Sequence, residues 1–198
     1  MTFRQKLMNT FYPALINGGK LIRLNNQIFK SPPHIIIPVS FYTLNATKIN
    51  GKTIDFNQFK GKKVLVVNTA SDCGYTAQLG EFQKLHEQFK DRLCIIGFPS
   101  NDFKEQETGS NEEIANFCSI NFMIDFDLTE KTCVRKTNAQ NKVFEWLTHE
   151  FLNGWNNYQP AWNFTKYLID ENGKLTYIFG SGISPLDARI IKALDGDL

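Results

Sequence analysis

No CxxC pair occurs anywhere in the 198 residues, and the four cysteines (Cys73, Cys94, Cys118 and Cys133) stand far apart. Dithiol exchange of the usual CxxC kind is therefore excluded, and so are zinc ribbons and fingers. Histidine is scarce as well: His34, His86 and His149 are scattered and make no Cys/His cluster. No apolar run approaches the ~20 residues of a spanning helix. Asn9, Pro13 and Asn17 interrupt the first segment, which argues against a secretory signal. A chain with this much apolar residue does not need a disulfide framework, so reduced thiols and a cytoplasmic setting are expected.

Acid is missing from the first quarter. Asp55 is the first acidic residue, and Arg4, Lys6, Lys20, Arg23, Lys30, Lys48 and Lys52 precede it. The formal net charge is nevertheless +2, which gives no reason to expect a nucleic-acid partner. Hydrophobic residues make up 42%, enough for one substantial core at this length.

Residues 1–37 read as a basic amphipathic extension and linker. Phe3, Leu7, Phe11 and Leu15 form a stripe at helical spacing, broken by Pro13 and then by Gly18-Gly19. Three roles stay open for it: docking on its own domain or a second copy, a membrane-surface contact through residues 1–30, and targeting.

Residues 38–198 read as one α/β domain. Phe41–Leu44 and Lys52–Ile54 suggest a hairpin turning at Asn50-Gly51. Val64–Val67 and Leu93–Phe98 are buried-strand runs. Leu79, Phe82, Leu85 and Phe89 repeat as a helix, and Ser110-Asn111-Glu112-Glu113 begins another. Val143, Phe144 and Leu147 suggest a third. Tyr167–Asp170 and Lys174–Phe179 flank a turn at Glu171-Asn172-Gly173. A last helix follows Pro185. The order suits a thioredoxin-like fold, a central mixed β-sheet flanked by helices.

Cys73 falls between a buried strand and a helix, where a helix N-terminus favours the nucleophilic thiolate. Three residues on stands Thr76, which cannot form a disulfide. A lone thiolate there is suited to attack a small electrophile and become a sulfenic acid. An ordinary half-buried cysteine is the alternative.

Asn68–Thr76 resembles the active-site segment of the glutathione peroxidase family. Gly97–Phe103, with Gln106-Glu107 and Gly109–Ile114, resembles that family's second motif, and Trp162–Lys166 its third. The three arrive in the family's order. The resemblance implies a peroxidase with Cys73, Gln106, Trp162 and Asn163 as catalytic residues and no bound cofactor. Trp162 and Asn163 are adjacent, so both reach one site only through irregular backbone.

The resemblance also implies a resolving role for Cys118, with a thioredoxin-like protein as reductant. Two alternatives remain: a one-cysteine peroxidase using glutathione, and a peroxide-sensing, membrane-associated interaction protein. Hydrogen peroxide and organic or lipid hydroperoxides are the expected substrates. Tetrameric members of the family carry a longer insertion between the positions of Glu150 and Trp162, so the resemblance implies a monomer or weak dimer here. Ser100, Asp102 and Ala77 depart from the family pattern. Asp102 is expected to weaken the thiolate, and Ala77 to loosen the first helical turn.

Overall fold

The computed structural model describes residues 25–198. Its main sheet has six strands: β1 (Ile28–Lys30), β4 (Lys63–Thr69), β5 (Leu93–Pro99), β6 (Asp127–Leu128), β7 (Lys166–Ile169) and β8 (Leu175–Phe179). They lie in the order β1-β8-β7-β4-β5-β6. The central strand β4 pairs in parallel with β5 and antiparallel with β7, so the sheet is mixed. Every residue of β4 except Lys63 is buried, as its β-branched run predicts. A separate hairpin joins β2 (Asn45–Thr47) to β3 (Thr53–Asp55).

Among the described residues five named α-helices accompany the sheet: α1 (Gln78–Phe89), α2 (Asn111–Phe122), α3 (Lys142–Thr148), α4 (Glu150–Asn153) and α5 (Ala188–Asp195). The core runs through Phe82, Phe98, Phe144, Trp146, Tyr167 and Phe179. Serine at 110 starts α2 with a capping box: its side chain accepts from the Glu113 N–H, and the Glu113 carboxylate accepts from the Ser110 N–H. By contrast α1 has Ala77 at its N-cap and no side-chain cap. Gly173, at φ 82°, makes the β7–β8 turn. At Gly97 a Cβ would sit 2.6 Å from Leu128 Cδ2, so the leucine side chain of β6 packs into the space the glycine leaves.

The structure adds to or departs from the sequence reading at four points. The 37/38 boundary does not coincide with the sheet edge, because Ile28–Lys30 pairs antiparallel with β8. Those residues alternate too briefly to stand out from the basic segment around them. Since β1 binds part of the 1–30 stretch to the sheet, residues 28–30 are not part of a free amphipathic helix. The stripe from Phe3 to Leu15 lies outside the described residues. Phe41–Thr43 is a 3-10 turn rather than a strand, held by Ser40, whose hydroxyl accepts from the Tyr42 N–H. Finally, β6 escapes notice in the sequence because it has two residues.

No helix among the described residues is long and apolar enough to cross a membrane.

Candidate active site

Cys73 follows β4 in a series of tight turns, four residues after the strand ends. Thr76 organises those turns. Its hydroxyl oxygen accepts from the Cys73 N–H at 3.0 Å and lies 2.9 Å from the Ala70 carbonyl and 2.8 Å from that of Cys73. The position that carries the second cysteine of a CxxC protein therefore holds the loop in shape. Helix α1 starts at Gln78, and the turns leading into it place the Tyr75 N–H on the sulfur.

The Cys73 side chain is nearly inaccessible, 4% exposed. Burial pushes its thiol up to about 11, and the Asp72 charge adds to the rise. Three donors oppose this: the Tyr75 N–H at 3.5 Å from Sγ and the side chains of Trp162 and Asn163. Burial thus favours the thiol form of Cys73, while the three donors favour the thiolate. Asp102 is hydrogen-bonded to a neighbouring loop. Its carboxylate accepts from the N–H groups of Val134 and Arg135, at 2.6 and 2.9 Å, and pins that loop.

Gln106 and Asn163 meet directly, the Asn163 amide donating to the Gln106 carbonyl at 3.0 Å. The Asp72 N–H donates to the Gln106 backbone oxygen, tying this loop to the thiol loop. Gln106 follows two consecutive non-glycine residues in left-handed conformation, Lys104 (φ 52°) and Glu105 (φ 53°). Such backbone is costly and clusters where function requires it. The irregular backbone expected at Trp162-Asn163 is present, with Phe164 at φ 68°.

Asn68 holds that irregular turn. From the end of β4 its side-chain amide donates to the Trp162 carbonyl, and its Oδ1 accepts from the Thr165 N–H. Its backbone oxygen accepts from the Phe164 N–H at 2.6 Å. Lys166 adds support from β7: its buried ammonium donates to the carbonyls of Ser181 and Ile183.

Cys73, Gln106, Trp162 and Asn163 are therefore brought together, as the resemblance implied. Cys118 is buried on α2, and its thiol is pushed up to about 12 by burial and by the charge of Glu107. Cys94 is half-buried on β5, and Cys133 lies in a loop beside Thr137. All four cysteines are free thiols. No group of His, Cys, Asp or Glu among the described residues is arranged to hold a metal ion.

Beside Trp162 opens a groove of about 570 Å³, lined among others by Phe29, Phe103, Arg135, Tyr158 and Ile178. Its walls are mainly apolar. Phe103 packs on Trp162 at 5.6 Å, and the Arg135 guanidinium lies 5.9 Å from the Phe103 ring centre.

A family model described as glutathione peroxidase matches residues 41–148. Glutathione peroxidase-like peroxiredoxin 2 of Saccharomyces cerevisiae is 40% identical over 154 residues, covering 76% of this chain and 94% of its own. Hydroperoxy fatty acid reductase gpx1 of Synechocystis is 38% identical over 154 residues, covering 74% and 89%. The crystal structure of T. cruzi GPX1 superposes with a TM-score of 0.58 at 28% identity, covering 79% of this chain and 97% of that one.

Proposed function

This chain belongs to the glutathione peroxidase family and is a peroxidase, and we propose that it works through Cys73 as nucleophile, Cys118 as resolving thiol and a thioredoxin-like protein as reductant. The observation that carries this is the convergence of the Tyr75 N–H, Trp162 and Asn163 on the Cys73 sulfur. Donors aimed at one buried sulfur stabilise it most when it becomes an anion.

Catalysis begins when a hydroperoxide enters and the thiol proton moves to it. Cys73 sulfur attacks the terminal peroxide oxygen, the O–O bond breaks, and an alcohol or water leaves with the proton. Cys73 is left as a sulfenic acid. Asn163 Oδ1 is buried without a hydrogen-bond partner among the described residues, and an incoming O–H group satisfies it. Gln106 fixes the orientation of the Asn163 amide.

Resolution follows when Cys118 attacks the sulfenic sulfur, forming a disulfide and releasing water. Helix α2 is suited to that movement, because Ile114 and Cys118 are its only buried side chains. Ile120 and Met123 at its far end are 80% and 79% exposed, and Phe117 and Phe122 are the partly buried side chains that its movement must release. A disulfide in that place suits a protein dithiol as reductant, and the four free thiols suit a reducing compartment such as the cytoplasm. The apolar groove beside Trp162 favours organic and lipid hydroperoxides alongside hydrogen peroxide.

Peptide mass mapping after one equivalent of hydrogen peroxide tests this scheme. A Cys73–Cys118 disulfide is expected. A persistent sulfenic acid at Cys73, reduced by glutathione alone, would replace it with a one-cysteine mechanism.

A further inference from the structure

Among the described residues Glu107 is the one carboxylate side chain in the fully buried set, at 2% exposure. The four-residue tetrad gives it no task. Its backbone N–H donates to Asn101 Oδ1 at 2.9 Å, and the Ser71 hydroxyl donates to its Oε2 at 3.0 Å. Glu107 thus reaches toward the loop that carries Cys73. It also lines a cavity of about 280 Å³ together with Ser71, Asp72 and Gln106 and with Ile114 and Phe117 of α2. Phe117 immediately precedes Cys118. A buried carboxylate therefore shares one cavity with the loop of the attacked sulfur and the helix of the attacking one, and its charge acts on the Cys118 thiol.

We infer that Glu107 accepts the proton of Cys118 when Cys118 resolves the Cys73 sulfenic acid, an inference that rests on the resolving role proposed above. In that step the Glu107 carboxylate takes the thiol proton, and a sulfur lone pair of Cys118 forms the S–S bond. The Cys73 S–O bond breaks, and its electron pair leaves with the oxygen. Glu107 returns the proton to that oxygen, and water departs. One sulfenic acid and one thiol give one disulfide and one water, without a further oxidant.

The electrostatics fit this task. The Cys118 thiol, pushed up to about 12, needs a base at neutral pH. Burial pushes Glu107 up to about 7, where its carboxylate and acid forms are both populated. Asp72, from the thiol loop, raises it further. Lys131 and the Ser71 hydrogen bonds pull it down, and Lys131 itself donates to the carbonyls of Thr108 and Gly109. Glu113 of α2 shares the cavity, but its carboxylate is engaged by the Ser110 N–H and lowered by it.

The test follows disulfide formation after one equivalent of hydrogen peroxide, by rapid quench, alkylation and mass analysis, between pH 5.5 and 8.5. In the full-length wild type the rate of resolution is expected to rise with pH and level off above about 7. Glu107→Gln is expected to slow resolution by about 10²-fold, to lose that inflection, and to accumulate sulfenic acid that dimedone captures. Ser71→Ala, which removes a hydrogen bond to the carboxylate, is expected to move the inflection to higher pH. Glu107→Gln resolving at the wild-type rate with the wild-type profile overturns the inference. Should Glu107→Gln fail to fold, a wild-type rate without an inflection, or an unmoved inflection in Ser71→Ala, overturns it equally. If the wild type forms no Cys73–Cys118 disulfide at all, the resolving role itself fails and takes this inference with it.

Discussion

Asn163 donates its side-chain amide to the side-chain carbonyl of Gln106 at 3.0 Å, across 57 residues of sequence. One loop is strained into place by Lys104 and Glu105, and the other is held by Asn68 from the end of β4. Each loop is irregular, and their contact fixes which hydrogens of the amide face the Cys73 sulfur.

That contact predicts non-additivity. Asn163→Ala is expected to slow oxidation of Cys73 by about 10²-fold, the usual cost of losing one donor to a developing anion. Gln106→Ala should slow it less, since Gln106 acts through Asn163. The double variant should lose less than the product of the two, because the residues act as a unit. Stopped-flow measurement of Cys73 oxidation checks this, and full additivity would contradict the coupling.

Thr76 gives a stability prediction. It is buried, and Thr76→Ala leaves the Cys73 N–H without its acceptor. A loss of about 1–2 kcal/mol is expected in urea unfolding, with the slope of the transition unchanged. Thr76→Ser keeps the hydroxyl and should recover most of it.

Much of this was legible in the amino-acid sequence. Val64–Val67 announces β4 by its unbroken β-branched run, and Ser110 announces α2 by its capping box. The constellation of Cys73, Gln106, Trp162 and Asn163 was legible through its three motifs, not through periodicity. Burial at Cys73 was not, because neither the late start of α1 at Gln78 nor the closeness of the walls leaves a local signal. Asn68 could have been suspected as a polar residue at the end of an otherwise apolar strand. Glu107 looked like any acid in a loop, since its burial depends on Ser71 and α2, which are distant in sequence.

Glu107 also makes stability depend on pH, and the sign is definite. Its folded-state value of about 7 lies above the unfolded carboxylate value, so its contribution is complete at low pH and is lost as pH rises through about 7. The wild type is therefore expected to lose on the order of 2–3 kcal/mol between pH 5 and pH 8.5 from this residue. Glu107→Gln should be free of that loss, with its melting temperature rising relative to wild type as pH increases. A constant difference in melting temperature across that range would contradict the assignment.

Arg135 gives a substrate prediction. It lies at the apolar groove beside Trp162 and is exposed. Arg135→Ala is expected to raise the KM for a fatty-acid hydroperoxide by about 2- to 5-fold at low salt, the scale of an exposed ion pair. The difference should shrink at high salt. Turnover of hydrogen peroxide, which has no carboxylate, should not change.

The central claim is tested most directly by turnover of hydrogen peroxide coupled to thioredoxin, in the wild type, Cys73→Ser and Cys118→Ser. Activity in the wild type and its loss in both variants is the predicted result. Full thioredoxin-dependent turnover by Cys118→Ser would contradict the two-cysteine mechanism, and activity surviving in Cys73→Ser would remove Cys73 as the nucleophile.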